Sequence, residues 1–257
     1  VFASNDKNEN KNFKFSLDQL TLNNFSIIYQ NIPLSQEYDF TILDSKLKGQ
    51  FSNKEYDLNI LSSMLVNKFE LEGVNYISSK NADTDIILLV KNDPFSLTIK
   101  KGKLKIADMN FFLEGAYKSS KKDMINLNIK GNQIKISEIF SILPLDYAGI
   151  KSKYSSEGIF NFDGNLNGEM NNKQPLSFFV NFNANNATLK DNLNNIQLEK
   201  IDLSGSFNNK EQKLKIINFS ALINEKIMSG NLEINNFNEP NYFIKIDGIF
   251  DLNKIPF

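Results

Sequence analysis

From about residue 13 onward, almost the whole chain alternates apolar and polar residues with a period of two, in runs cut by short loops of Asn, Lys, Asp, Ser and Gly. That period is the one at which a β-strand turns successive side chains to opposite faces. Phe160 and Phe162 are set against Asn161 and Asp163, and Phe178, Val180 and Phe182 against Asn181 and Asn183. Tyr242, Ile244 and Ile246 are set against Lys245 and Asp247. Each strand then has a dry side and a wet side. The short loops leave no room for crossovers, so the strands follow one another as antiparallel hairpins.

The pattern places early strands around Phe13, Phe15 and Leu17, around Phe25, Ile27 and Tyr29, and, after a break at Asn31-Ile-Pro33, around Tyr38, Leu47 and Tyr56. Further strands are predicted at 69–76, 84–91, 95–100, 103–107, 109–117 and 124–131. Later ones fall at 157–168, 177–184, 187–190, 196–207, 212–224, 227–234 and 241–250. An internal repeat supports this reading. Leu47-Lys-Gly-Gln-Phe-Ser-Asn-Lys-Glu-Tyr-Asp-Leu-Asn-Ile60 matches Leu203-Ser-Gly-Ser-Phe-Asn-Asn-Lys-Glu-Gln-Lys-Leu-Lys-Ile216 in step. The unit is a strand ending in apolar-x-Gly-x-aromatic, a polar turn and a returning strand. Gly49, Gly115, Gly205 and Gly230 read as bulges or bends that let strands curl, or as places where a ligand meets the backbone.

One stretch departs from period two. Ile136, Ile139, Phe140 and Leu143 share one helical face, Ser137 offers a cap, and Pro144 ends the run. So short a helix needs a surface to lie on, and it is expected to plug or cap the β-structure on either side. The resulting division is a lead-in at 1–12, a β-unit at 13–136, helix and connection at 137–153, and a second β-unit at 154–257. Gly248-Ile-Phe-Asp-Leu-Asn-Lys-Ile255 echoes 131–139, with Asn253 as the cap of a further helix. The fold class is mainly β, with curved antiparallel sheet forming an open groove or a folded-over sandwich. At the sequence level the groove and the filled sandwich both stand.

Composition narrows the chemistry. The chain of 257 residues has no His and no Cys, and Arg is absent. Thiolate and imidazole catalysis, the usual zinc sites and bidentate phosphate clamps are therefore missing. A net charge of -1 gives no field for nucleic acid. No apolar run is long enough to span a bilayer as a helix. Glu157 and Asp163 could suggest a glycosidase pair, and Asp83, Asp85 and Asp93 a calcium site, but solvated polar-face residues account for them. The lysines at 100–103 and 118–122 read as solvated turns, and the absence of Trp speaks against a carbohydrate platform. No catalytic residue, metal or cofactor is assigned.

Four stretches carry a resemblance. They are Ile136-Ser-Glu-Ile-Phe-Ser-Ile-Leu-Pro144, Ser156-Glu-Gly-Ile-Phe-Asn-Phe-Asp-Gly-Asn-Leu-Asn-Gly168, the stretch from Gln174 to Leu189, and Ile196-Gln-Leu-Glu-Lys-Ile-Asp-Leu-Ser-Gly-Ser-Phe-Asn-Asn209. In this order they resemble the AsmA-like family of Gram-negative envelope proteins, in the same broad class as TamB and the bridge-like lipid-transfer proteins. Phe15-Ser-Leu-Asp-Gln-Leu-Thr-Leu-Asn-Asn-Phe-Ser-Ile-Ile-Tyr29 is similar to a family opening strand pair. The resemblance implies a non-enzymatic periplasmic β-groove in a protein anchored to the inner membrane by a segment outside this chain. It further implies acyl chains of phospholipids as ligand, envelope proteins of the two membranes as partners, and a role in phospholipid transport or outer-membrane biogenesis. The residues expected to line the groove are Phe160, Phe162, Phe178, Val180 and Phe182, with Ile139, Phe140 and Leu143 closing one end. The rival expectation is a structural or protein-interaction β-sandwich of the envelope that binds no lipid.

Overall fold

Among the described residues, thirteen strands, each paired only with its neighbours in sequence, make one open antiparallel sheet. The computed structural model describes residues 14–71, 73–142, 148–170 and 176–249. The strands are β1 (Lys14–Asn31), β2 (Gln36–Ser52), β3 (Glu55–Leu71), β4 (Val74–Asn92), β5 (Phe95–Ile106), β6 (Met109–Lys118) and β7 (Met124–Lys135). After helices α1 (Ile136–Ile142) and α2 (Ala148–Lys153) come β8 (Tyr154–Glu169), β9 (Ser177–Asp191), β10 (Ile196–Asn208), β11 (Lys213–Ile223), β12 (Lys226–Asn235) and β13 (Asn241–Gly248). Sheet hydrogen bonding continues from β7 to β8, with Leu127 opposite Leu166 and Ile134 opposite Phe160. The expected lead-in at 1–12 and the residues Phe13, Leu143, Pro144 and Asn253 lie outside the described residues.

The strands are longer and fewer than period two suggested. The runs at 95–100 and 103–107 form the single strand β5, and those at 177–184 and 187–190 form β9. What separates each pair is a bulge. Apolar residues keep one face by stepping three positions instead of two, from Ile99 to Gly102, Gly131 to Ile134, Ala184 to Ala187, Leu198 to Ile201 and Ile216 to Phe219. The extra residue at several of these steps has left-handed backbone, as at Gln133 (φ 57), Asn186 (φ 47) and Lys200 (φ 48). Bulges bend a strand and increase its twist, and they curve the sheet. The run at 69–76 is corrected in the other direction. It is divided between β3 and β4 by a turn at Gly73, whose φ of +78 a glycine adopts without strain. The break at Asn31-Ile-Pro33 is a 3-10 turn, Ile32–Leu34, with Pro33 in its first positions.

The repeat folds twice into the same object, with one difference. Gly49 is opposite Leu58, whereas Gly205 is opposite Ile216, the counterpart of Ile60. The second hairpin has a four-residue connection where the first has two, so its register moves by two. A shift of two leaves every side chain on its original face; a shift of one would have inverted them.

Helix α1 begins at Ile136, directly after β7, so Ser137 lies inside the helix and does not cap it. The second helix, α2, occupies part of what the sequence left as connection. α1 packs on β7 and β8 and reaches β4, although β5 and β6 lie between β4 and β7 in the sheet. It can do so because the β5–β6 hairpin ends at Ile106 and Met109 while β4 runs on to Val74. Ile136 packs against the cluster of Ala184, Ala187, Ile201 and Ala221, which places the helix on the apolar side.

Candidate functional site

The apolar face is continuous from one edge of the sheet to the other. One transverse row takes a residue from each strand, every step a directly opposed pair. It runs Leu22, Ser45, Ser62, Thr84, Leu104, Phe111, Gly131, Phe162, Phe182, Gly205, Ile216, Leu232, Ile244. At roughly 4.8 Å between strands, twelve steps cover about 58 Å along the sheet. Only Ser45, Ser62 and Thr84 are polar in this row, and all three are buried. The Ser62 hydroxyl donates to the Asp44 carbonyl oxygen at 3.3 Å, which satisfies it on the backbone.

The five phenylalanine and valine positions named from the sequence all lie on this face. Phe160 is opposite Ala184, Phe162 opposite Phe182, Gly164 opposite Val180 and Leu166 opposite Phe178. Phe160 lies 6.2 Å from Phe162 and 6.0 Å from Phe182, ring centre to ring centre, and Phe111 lies 6.2 Å from Phe162. Phe178 belongs to a separate pair with Phe207, itself stacked on Phe237 at 5.6 Å. Ile139 and Phe140 lie on α1 and, like the five sheet residues, are half-buried.

Two glycines explain how the rings are seated. A Cβ on Gly205 would come within 2.8 Å of the Phe182 ring, and one on Gly131 would clash with Phe162 and Ile134. Each ring is thus laid over a glycine of the neighbouring strand. Steric room for the protein's own side chains is the role that geometry gives these positions.

The face is covered only in part. Among the described residues, the buried apolar side chains are Ile42, Val66, Ala82, Val90, Met109, Ile134, Ala184, Ala187, Ile201 and Ala221, and four of these ten are alanines. The molecule exposes 17713 Å², where a compact monomer of 29.3 kDa exposes about 11,500 Å². No second layer of sheet among the described residues lies over the apolar side, which contributes to such an excess. Among the described residues, hollows of about 460 and 560 Å³ open on the polar face, lined largely by Asn, Ser and Asp, and one of about 520 Å³ sets the exposed Leu61 and Phe112 among Asp83, Asp85, Lys103 and Lys105.

The polar face is a lattice of pairs. Asn165 donates to Asn126 and Asn128 at 2.8 and 2.7 Å, and Asn161 to Asn183 at 3.0 Å. Lys130 bridges to Asp163 at 2.9 Å, and that bond is the first cause of the upward shift of the Lys130 pKa. Glu157 lies six residues from Asp163 on one strand, roughly 20 Å away, well beyond the spacing of a glycosidase carboxylate pair. Asp83 accepts from Ser63 and Asp85 pairs with Lys101, and no cluster of three metal-binding groups occurs among the described residues. The lysines of 100–103 and 118–122 that lie in such pairs include Lys100 with Asp57 and Lys122 with Glu169.

Sequence reasoning missed the first wall of the same face. Tyr29, Tyr38 and Phe69 stack across β1, β2 and β3 at 5.4 and 5.0 Å, and Phe15, Phe51 and Tyr56 form a second ladder at the opposite strand ends. Burial, and then the neighbouring Tyr29, push the Tyr38 phenol up. The signal was present as three aromatic positions at matching distances from two hairpin turns. Comparison with known protein families, with curated proteins and with solved structures finds no match.

Proposed function

We propose that the chain is a non-enzymatic trough whose apolar face shields acyl chains, as a segment of an AsmA-like envelope protein that moves phospholipid between the inner and outer membranes. The observation that carries this reading is the face that runs across thirteen strands, apolar along its transverse row but for the buried Ser45, Ser62 and Thr84, half-covered and without an opposing sheet among the described residues. Removing a methylene from water is worth about 0.8 kcal/mol, so a bare sixteen-carbon chain in water costs roughly 12 kcal/mol, of which lying on such a surface removes the share for the side that is covered. A surface of this kind needs no catalytic group, cofactor or metal. Helix α1, with Ile139 and Phe140, closes the trough where it spans from β8 to β4.

Native mass spectrometry of the purified chain is expected to find bound phospholipid. Phe178→Asp together with Phe182→Asp is expected to remove it and to leave the far-ultraviolet β signature intact. Unchanged lipid content in that folded variant would show that these rings line no ligand path. A second reading is favoured by β13, of which every residue is exposed, Tyr242, Phe243, Ile244 and Ile246 by more than half. An edge strand, paired here with β12 on one side, accepts another strand on its free side, and the chain would then be an interaction module of the envelope. A fluorescent fatty acid separates the two, since only the trough should bind it with a negative heat-capacity change.

A further inference from the structure

In a sheet whose strands follow strictly in order, alternate connections fall on the same border. One border here carries the β1–β2, β3–β4, β5–β6, β9–β10 and β11–β12 turns, the two helices, and the end of β13. The opposite border carries the other turns. The two differ in chemistry. Among the described residues, the large apolar side chains exposed by 70% or more are Ile32 (86%), Leu193 (75%), Ile249 (71%) and Ile227 (70%). All four stand on the first border: Ile32 in the 3-10 turn, Leu193 in the β9–β10 turn, Ile227 at the start of β12, and Ile249 just past β13. The opposite border turns out Lys54, Lys121, Lys122, Lys210 and Glu211, and its exposed apolar side chains stay below 70%, as at Tyr242 (63%) and Met170 (53%).

We propose that the first border rests on a phospholipid bilayer, its aliphatic tips inserted among the headgroups. The tips are set apart along the border: Leu193 lies among Asn192, Asn194 and Asn195, Ile32 lies between Asn31 and Pro33, and Ile227 and Ile249, next to the opposed pair Met228 and Gly248, make one further tip. A folded protein partner recognises a contiguous patch, whereas a fluid lipid surface accepts anchors set apart from one another. Charges along this border are of both signs: Lys68 lies between Glu37 and Glu70, Lys153 is 4.0 Å from Asp191, and Glu225 is next to Lys226 in sequence. There is no excess positive charge to demand anionic lipid, so the surface in question is zwitterionic. Behind Ile32, the stacked Tyr29 and Tyr38 supply rings with an apolar body and a polar tip, the side chains suited to headgroup depth.

The border alone carries this inference, and it does not rest on the trough. The chain has no Trp, so a single introduced indole reports its own surroundings. Ile32→Trp, Leu193→Trp, Ile227→Trp and, on the opposite border, Lys54→Trp are each mixed with phosphatidylcholine vesicles with and without brominated acyl chains. The first three are expected to shift to the blue and to be quenched by bromine, and Lys54→Trp to do neither. The triple variant Ile32→Ser, Leu193→Ser, Ile227→Ser is expected to float with vesicles at least about tenfold more weakly while binding a fluorescent fatty acid as the parent does. Equal behaviour of all four indoles, or a triple variant that floats like the parent, overturns the proposal. Loss of fatty-acid binding by the parent would sink the trough reading and leave this one standing.

Discussion

Single residues at the bulges decide whether the apolar face stays in phase. The amide of Asn186, turned out of the ladder at its left-handed φ of 47, donates to the Asp202 carboxylate at 2.8 Å. Gln133 does the same to the Asn161 side chain at 2.8 Å, and Glu157 to the Thr188 hydroxyl at 3.2 Å. Polar-face side chains thus catch the amides that the bulges release. Asp202→Ala is expected to cost about 0.5–1.5 kcal/mol in urea denaturation, and Asp202→Asn much less, because its amide oxygen still accepts. Lys200, at φ 48, is held where a Cβ is disfavoured by about 1–2 kcal/mol. Lys200→Gly removes that strain at an entropic cost of similar size, so its midpoint should match or exceed the parent's, and Lys200→Val should fall below it.

Elements show how far the sequence could be read. Period two gave the strands, their faces and their antiparallel order, because a one-sided sheet writes its geometry into every second residue. It broke at the bulges. A step of three between apolar residues, as from Ala184 to Ala187, looks like the end of a strand unless the residue between is recognised as left-handed. Asn186 and Asn24 are types that tolerate that conformation, whereas Gln133 and Lys200 carry no such mark. The residues expected to line a groove were legible as one face for the same reason as the strands, and Phe160, Phe162, Phe178, Val180 and Phe182 do share one face. Ser137 failed as a cap because helix α1 grows straight out of β7, a junction that local propensity does not encode.

The β2–β3 pairing also carries a charge clasp, Lys68 to Glu37 at 2.7 Å and to Glu70 at 2.9 Å. Its bond with Lys68 holds the Glu37 carboxyl below the ordinary range, and bonds with Glu37 and then Glu70 hold Lys68 above its own. A lowered carboxyl stabilises the fold above its unfolded pKa and stops doing so as pH falls through the folded value. A raised lysine stabilises below its unfolded pKa and stops as pH rises through its folded value. Lys68→Met should therefore lower Tm between the ordinary glutamate and lysine ranges. The gap between variant and parent should close in acid and again in strong alkali. Melts of both proteins across pH test this, and a gap that persists in acid would mean that the clasp contributes by packing.

At the scale of the molecule, strand pairing among the described residues runs only between neighbours. Strand order equals sequence order, and α1 is the element that spans strands distant in the sheet. Stability is then close to a sum of adjacent pairings, as in repeat proteins. Amide exchange should be fastest in β1 and β13, slow toward β7 to β9, and slowed further in the residues under α1. Uniform protection across all thirteen strands would mean a single cooperative unit instead.

The sequential order has a further consequence for capacity. Because no strand is threaded between two earlier ones, adding a hairpin of the same pattern at either margin would extend the greasy floor by about 9.6 Å and leave its cross-section alone. A molecule built this way is a ruled strip, whose reach is a matter of how many times one short stitch has been repeated.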